Sequence, residues 1–73
     1  MITIYSKPNC MQCELSKQYL DDMGVKYEEI DVFEDKETLA MLRDAGYSEM
    51  PVVDINGEIH TGFRPDVLAK AVV

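Results

Sequence analysis

The two cysteines of this chain, Cys10 and Cys13, are separated by two residues. They follow a strand-like run at residues 2–5 and precede a helix-like run that begins near Met11. Thiol–disulfide exchange needs one thiolate that reaches solvent and a second thiol placed to resolve the mixed disulfide. A Cys-x-x-Cys pair at a strand-to-helix junction is typical of such a dithiol redox centre.

The position of the pair predicts unequal roles for the two sulfurs. We expect Asn9 to cap the helix, which places Cys10 in its first turn. Unpaired backbone N–H groups and the positive end of the helix dipole favour a thiolate there. Cys13 lies closer to the packed side of the helix, so we expect Cys10 to attack and Cys13 to resolve. Two alternatives stay open for Lys7: it lowers the pKa of Cys10 further, or it is a solvated lysine at the end of the strand. Gln12 is neutral, so we expect it to influence the cysteine pair through polarity and shape.

A metal centre is the alternative use of these thiols. A closed tetrahedral zinc site needs four Cys or His ligands, and the chain offers two cysteines and His60. Two further interpretations of the cysteine pair stay open. One is a metal or iron–sulfur centre that bridges two chains, and the other is a pair of buried structural cysteines. For His60 itself, a half-exposed strand histidine is favoured over a proton shuttle or a ligand.

Charge and hydropathy exclude several functions. The chain has 14 acidic and 7 basic residues, a net charge of −7, which argues against binding nucleic acid or an anionic membrane. The acidic excess favours solubility or steering toward a basic face of a partner. No apolar run approaches the roughly 20 residues of a membrane span, and we expect no export signal. We expect one domain, residues 1–73, in the cytoplasm, where thiols stay reduced.

Periodicity predicts strands at residues 1–6, 25–32, 51–55 and 58–61, and helices at 10–23, 35–45 and from 64 onward. The acidic second strand suits a sheet edge, and Asn56-Gly57 predicts a hairpin. The order β-α-β-α-β-β-α indicates an α/β fold with a four-stranded mixed sheet, its first two strands parallel.

Two helices have predicted buried faces. The first helix is expected to bury an apolar face and expose a polar one; the apolar residues are Met11, Leu15, Tyr19, Leu20 and Met23. Its polar residues are Glu14, Lys17, Gln18, Asp21 and Asp22. The last helix is expected to bury Val67, Leu68, Ala71 and Val72.

With these elements the chain resembles the thioredoxin fold in its glutaredoxin-sized form, and is most similar to the NrdH-redoxins. The resemblance covers nearly the whole chain. It is carried by residues 4–13, 45–47, 50–53 and 61–66, above all by Gln12 directly before the second cysteine and by the run Gly62-Phe63-Arg64-Pro65-Asp66. It implies a monomeric thiol–disulfide oxidoreductase that binds no cofactor.

The resemblance also implies a substrate-binding site. Met50–Pro51 is expected to be a cis peptide that faces the cysteines, with Met50 presenting backbone groups to the substrate chain. The implied substrate-binding residues are Lys7, Met11, Gln12, Met50, Pro51, Gly62, Phe63 and Arg64. Two alternatives stay open: Phe63 packs in the core, and Arg64 pairs locally with an acidic residue.

The implied partners are class Ib ribonucleotide reductase as electron acceptor and NADPH-dependent thioredoxin reductase as electron donor. Glutathione is the alternative donor. Glutaredoxins that use it generally have Thr-Val-Pro where this chain has Glu49-Met50-Pro51, and Gly-Gly where it has Gly62-Phe63. The carboxylate of Glu49 and the ring of Phe63 both disfavour the binding of glutathione, which is an anionic tripeptide. His60 stands where NrdH-redoxins usually have Trp, which bears on the choice of partner.

Overall fold

The first strand organises the sheet. In the computed structural model, which describes residues 1–71, β1 spans Ile2–Ser6 and buries alternate side chains. It lies between β2 (Glu28–Asp31), which is parallel to it, and β3 (Val52–Ile55), which is antiparallel. The strand β4 (Glu58–Thr61) pairs antiparallel with β3, and the order is β2-β1-β3-β4. The predicted mixed sheet is confirmed, and the acidic β2 lies at an edge.

The β3–β4 hairpin folds the chain back so that Gly62 lies beside Pro51. Asn56 and Gly57 have φ values of 52° and 98°, the left-handed pair that a two-residue hairpin needs. The carboxylate of Asp54 accepts a hydrogen bond from the Gly57 N–H at 2.8 Å. At the other end of the hairpin the Gly62 N–H donates to the Pro51 carbonyl at 2.9 Å. The predicted turn is therefore confirmed, and it sets Gly62 beside Pro51.

Three helices complete the fold: α1 (Met11–Asp22), α2 (Lys36–Asp44) and α3 (Pro65–Ala71). Asp35 caps α2, its carboxylate accepting from the Thr38 N–H at 3.2 Å and the Thr38 hydroxyl at 2.7 Å. The last helix, predicted from residue 64 onward, begins at Pro65, whose fixed φ suits the first helical position. Val72, expected on the buried side of α3, lies outside the described residues. None of the helices within residues 1–71 is long and apolar enough to cross a membrane.

The buried face of α1 differs from the prediction. Its buried residues are Cys13, Ser16 and Leu20, with Tyr19 partly buried. The expectation that Met11, Leu15 and Met23 face the core is wrong, because all three are exposed. The Ser16 hydroxyl donates to the Gln12 carbonyl at 2.9 Å, so this polar side chain faces the interior without an unpaired donor. The core that α1 covers consists of Ile2, Ile4, Leu20, Val53 and Leu68.

The carboxylate of Glu29 joins β1, β2 and α1. It accepts from the Ser6 hydroxyl at 2.9 Å and from the Lys17 ammonium at 2.9 Å. These hydrogen bonds, that of Lys17 foremost, hold the pKa of Glu29 below its ordinary value. The same carboxylate raises the pKa of Lys17. The strand that leads into the cysteine loop is thereby connected to the helix that follows it.

This network predicts a pH dependence of stability. Because the pKa of Glu29 is lowered on folding, its contribution is complete above the ordinary value of 4.5 and is lost as the pH falls through the folded value. Glu29→Gln should therefore weaken the loss of unfolding free energy that occurs as the pH falls below 4.5, measured by urea denaturation. Glu28→Gln is the matched control, since Glu28 forms no ion pair with any residue of the described chain. Equal weakening in both variants would contradict the assignment.

Candidate active site

Cys10 and Cys13 form a disulfide with a Cα–Cα distance of 5.2 Å. Cys10 is itself the N-cap of α1, in extended conformation, and its Sγ accepts a hydrogen bond from the Cys13 N–H at 3.2 Å. The prediction that Asn9 caps the helix is wrong. Asn9 has a φ of 56° and makes the left-handed step into the loop, a conformation that Asn tolerates better than most residues. Asn suits both positions, so residue type alone does not distinguish them.

The two sulfurs differ in accessibility. Cys10 is 9% exposed, whereas Cys13 is 0% exposed and faces the core side of α1. The N–H donated to Cys10 Sγ and the positive end of α1 both favour negative charge on that sulfur once the disulfide is reduced. An incoming group therefore meets Cys10 first, and Cys13 lies behind it.

Met50 and Pro51 form the opposite wall. Their peptide bond is cis, as the resemblance implied, and the Met50 carbonyl oxygen lies 3.8 Å from Cys10 Sγ. Pro51 is buried and Met50 is partly exposed. The backbone of Met50 thus borders the sulfur of Cys10.

Gln12 connects the cysteine loop to the β4–α3 loop. Its Oε1 accepts from the Phe63 N–H at 3.0 Å. Gly62 has a φ of 77°, and a Cβ there would lie 3.1 Å from the same oxygen, so both conformation and space favour glycine. This contact spans 51 residues. The sequence predicts Gln12 at the site but not this hydrogen bond, because no local pattern indicates a contact with residue 63.

The Gln12 contact gives a testable prediction. Gln12→Ala removes the acceptor for the Phe63 N–H, and we expect a loss of about 0.5–1 kcal/mol in unfolding free energy. Because the β4–α3 loop borders the site, KM for a protein disulfide should rise several-fold, with a smaller change in kcat. Lys36→Ala, an exposed change on α2, is the control. An unchanged KM in Gln12→Ala would show that the loop does not contact substrate.

The other implied substrate residues are placed differently. Met11 is 74% exposed beside Cys10. Phe63 is partly buried against the core, its ring edge-on to Tyr19 at 6.4 Å. Arg64 pairs with Asp66 at 3.1 Å, which is the local pairing of the alternative. Lys7 is exposed at the end of β1 and makes no ion pair within residues 1–71.

His60 lies half-buried on β4, opposite Val53. Its Nε2 is 3.7 Å from a Glu58 carboxylate oxygen, too far for a hydrogen bond. Across the part of the chain that the structure describes, no three His, Cys, Asp or Glu side chains are grouped as a metal site requires. The described residues therefore do not bring His60 and the two cysteines together as ligands.

A Cys-x-x-Cys disulfide at the start of α1, faced by a cis-proline, on a sheet of this order, defines a thiol–disulfide oxidoreductase with the thioredoxin fold. The glutaredoxin family model matches residues 2–60. The glutaredoxin-like protein NrdH of Lactococcus lactis subsp. lactis is 37% identical over 70 residues, covering 96% of this chain and 97% of that protein. Its counterpart in Escherichia coli K12 is 36% identical over 69 residues, covering 94% and 85%.

Solved structures agree. The NrdH-redoxin from Escherichia coli superposes with a TM-score of 0.91 at 35% identity, covering 94% of this chain and 91% of that one. A buckwheat glutaredoxin in complex with glutathione superposes with a TM-score of 0.76 at 23% identity, which supports the fold alone. The chain therefore belongs to the glutaredoxin family, among its NrdH-redoxins.

Proposed function

We propose that the reduced protein donates two electrons to the disulfide of a class Ib ribonucleotide reductase and so supports deoxyribonucleotide synthesis. The similarity to NrdH proteins over nearly the full length of the chain carries this proposal. NADPH-dependent thioredoxin reductase returns the electrons. The cycle runs in the cytoplasm, where reductants keep dithiols available, with the protein acting as a monomer that binds no cofactor.

In the proposed reaction the Cys10 thiolate attacks one sulfur of the partner disulfide. That disulfide breaks, a mixed disulfide forms through Cys10, and one partner thiolate leaves and takes up a proton. The Cys13 thiol gives up its proton and attacks Cys10 Sγ, which releases the second partner thiol. One partner disulfide becomes two thiols, and one Cys10–Cys13 disulfide is formed. The unequal exposure of the two sulfurs supports this division of roles.

Substrate positioning is assigned to the groups around Cys10. The backbone of Met50, before Pro51, lies beside the sulfur and offers hydrogen bonds to an extended substrate chain. The loop at Gly62 and Phe63, held by Gln12, forms the other border. Met11 contributes exposed apolar surface, and the exposed side chains of Lys7 and Arg64 are assigned to the border of the same site.

Glutathione is the rival electron donor within the same chemistry. Glu49 carries an exposed carboxylate directly before Met50, and glutathione is itself an anion, so repulsion disfavours it. The Escherichia coli relative is described as having a thioredoxin-like activity profile. Both observations favour thioredoxin reductase. A thiolate metal module has no supporting observation among the described residues.

A coupled assay tests the electron donor. The oxidised protein is offered NADPH with thioredoxin reductase, and separately NADPH with glutathione and glutathione reductase, while the absorbance of NADPH is followed. We expect rapid oxidation of NADPH only in the first mixture. Reduction by the glutathione system alone would overturn the proposed donor. The acceptor is tested by adding purified class Ib ribonucleotide reductase with the reduced protein and measuring deoxyribonucleotide formation, with Cys10→Ser as the inactive control.

A further inference from the structure

An apolar patch on the outside of α1 begins beside the redox pair. Met11 and Leu15 are 74% and 39% exposed, and residues four apart on a helix are surface neighbours. The core does not use them, because α1 buries Cys13, Ser16 and Leu20 on its other side. Scattered exposed apolar side chains are ordinary, but adjoining ones next to a reactive group indicate a contact surface.

The same side of α1 becomes acidic toward its end. Asp21 and Asp22 are exposed in the last turn, and that turn has no basic residue. The C-terminal end of a helix favours cations, so these carboxylates do not serve helix stability. The nearby Lys17 is engaged by Glu14 and Glu29 at 3.1 and 2.9 Å. We call this side the outer face of α1; its residues are Met11, Glu14, Leu15, Gln18, Asp21 and Asp22.

The outer face is continuous with the accessible sulfur. A surface depression of about 450 Å³ is lined by Asn9, Cys10, Met11 and Glu14. A group bonded to Cys10 that enters this depression contacts Met11 and Glu14, the first residues of the outer face. A polypeptide that continues along α1 from there would pass Leu15 and reach Asp21 and Asp22.

We propose that the outer face of α1 is a second contact surface for the protein disulfides that this redoxin reduces, and that it selects segments with an apolar residue beside the cysteine and Lys or Arg about five positions away. At ~1.5 Å per helical residue, Asp21 and Asp22 lie roughly 17 Å from Cys10 along α1. An extended chain spans that distance in about five residues. The occupant's charge follows from complementarity with a chain of net charge −7. The proposal rests on the thiol chemistry proposed above and is independent of the ribonucleotide reductase assignment.

Synthetic peptide disulfides provide the test. Each probe is a disulfide-linked homodimer of a short peptide with leucine beside its cysteine and two lysines five and six positions away, made in both chain directions. Matched dimers carry glutamates or serines instead of the lysines. The reduced protein converts one dimer into two peptide thiols and becomes the Cys10–Cys13 disulfide, with no further reactant. The rate is measured by chromatography of quenched samples.

The lysine dimer is made in two chain directions, and the direction that reacts faster is used for the comparison. We expect it to be reduced about tenfold faster than the glutamate dimer of the same direction at low salt. The ratio should approach one near 1 M salt, where the Debye length is ~3 Å. The ratio is measured within each variant, so a general change in activity cancels. Asp21→Lys with Asp22→Lys should abolish or reverse the preference, and the milder Asp21→Asn with Asp22→Asn should reduce it. Leu15→Ser should lower the advantage of a leucine dimer over a glycine dimer.

The control is Asp44→Lys with Glu58→Lys, which changes the net charge by the same amount at two exposed positions outside α1. This control should keep the preference for lysine. A preference that survives the Asp21 and Asp22 changes would overturn the proposal. A preference that both double variants lose equally would also overturn it and would assign the effect to net charge. Failure to reduce any dimer, the serine dimer included, would overturn the proposed thiol chemistry and this surface with it.

Discussion

Cys13→Ser is expected to convert the protein from a turnover catalyst into a covalent trap for its substrate. Serine cannot attack the Cys10–substrate disulfide, so the reaction stops after its first step. Turnover measured with a protein disulfide as acceptor and NADPH with thioredoxin reductase as donor should fall by roughly three orders of magnitude. The trapped species is measured by non-reducing electrophoresis and intact mass, which should show one substrate chain per protein and its release by dithiothreitol.

Cys10→Ser is the matched control for the trap. It retains one thiol, but Cys13 is 0% exposed, so we expect little adduct with a protein disulfide. An adduct through Cys13 that forms as fast as the one through Cys10 would contradict the division of roles. Far-UV circular dichroism of both variants checks that the fold is kept.

Leu20→Ala is expected to produce the largest loss of stability among single changes in α1. Leu20 is 0% exposed within the core cluster, and truncation of a buried leucine costs about 3–5 kcal/mol. A domain this small has only a few kcal/mol to spare. A large shift of the urea midpoint, or outright unfolding at 37 °C, should therefore follow.

Leu15→Ala provides the matched comparison on the same helix. Leu15 is 39% exposed, and surface substitutions usually change stability by less than about 0.5 kcal/mol. The helical wheel drawn from sequence placed both leucines on the buried face, whereas the structure buries only Leu20. Similar losses in the two variants would support the wheel and contradict the structure.

The elements of the fold follow from signals that act over a few residues. Asn56-Gly57 specifies its turn because both residues accept positive φ, and Pro65 marks the start of α3 because its fixed φ suits the first helical position. The buried face of α1 is harder to predict from sequence. Hydrophobicity favoured Leu15 over Ser16, but Ser16 satisfies its hydroxyl within the helix and is buried.

Some features of the site also follow from local signals, whereas others depend on contacts between distant residues. The cysteine pair and the unequal accessibility of its sulfurs follow from spacing and helix position. The cis peptide before Pro51 came from family resemblance, since only ~5–6% of X–Pro bonds in folded proteins are cis. The Gln12–Phe63 hydrogen bond and the Glu29 network join residues distant in sequence. Such contacts depend on how the elements pack, which no local pattern encodes.

The strand β1 is an interior strand of the sheet and precedes the other three strands in the chain. Ile2 pairs with Ile55, so the antiparallel neighbour of β1 is synthesised only after about 50 further residues have been added. At 5–20 residues per second that delay is about 3–10 s. The two cysteines, by contrast, are complete as soon as residue 13 has been added. The nascent chain therefore contains both cysteines before Met50 and Pro51, which border Cys10 in the folded protein, have been added.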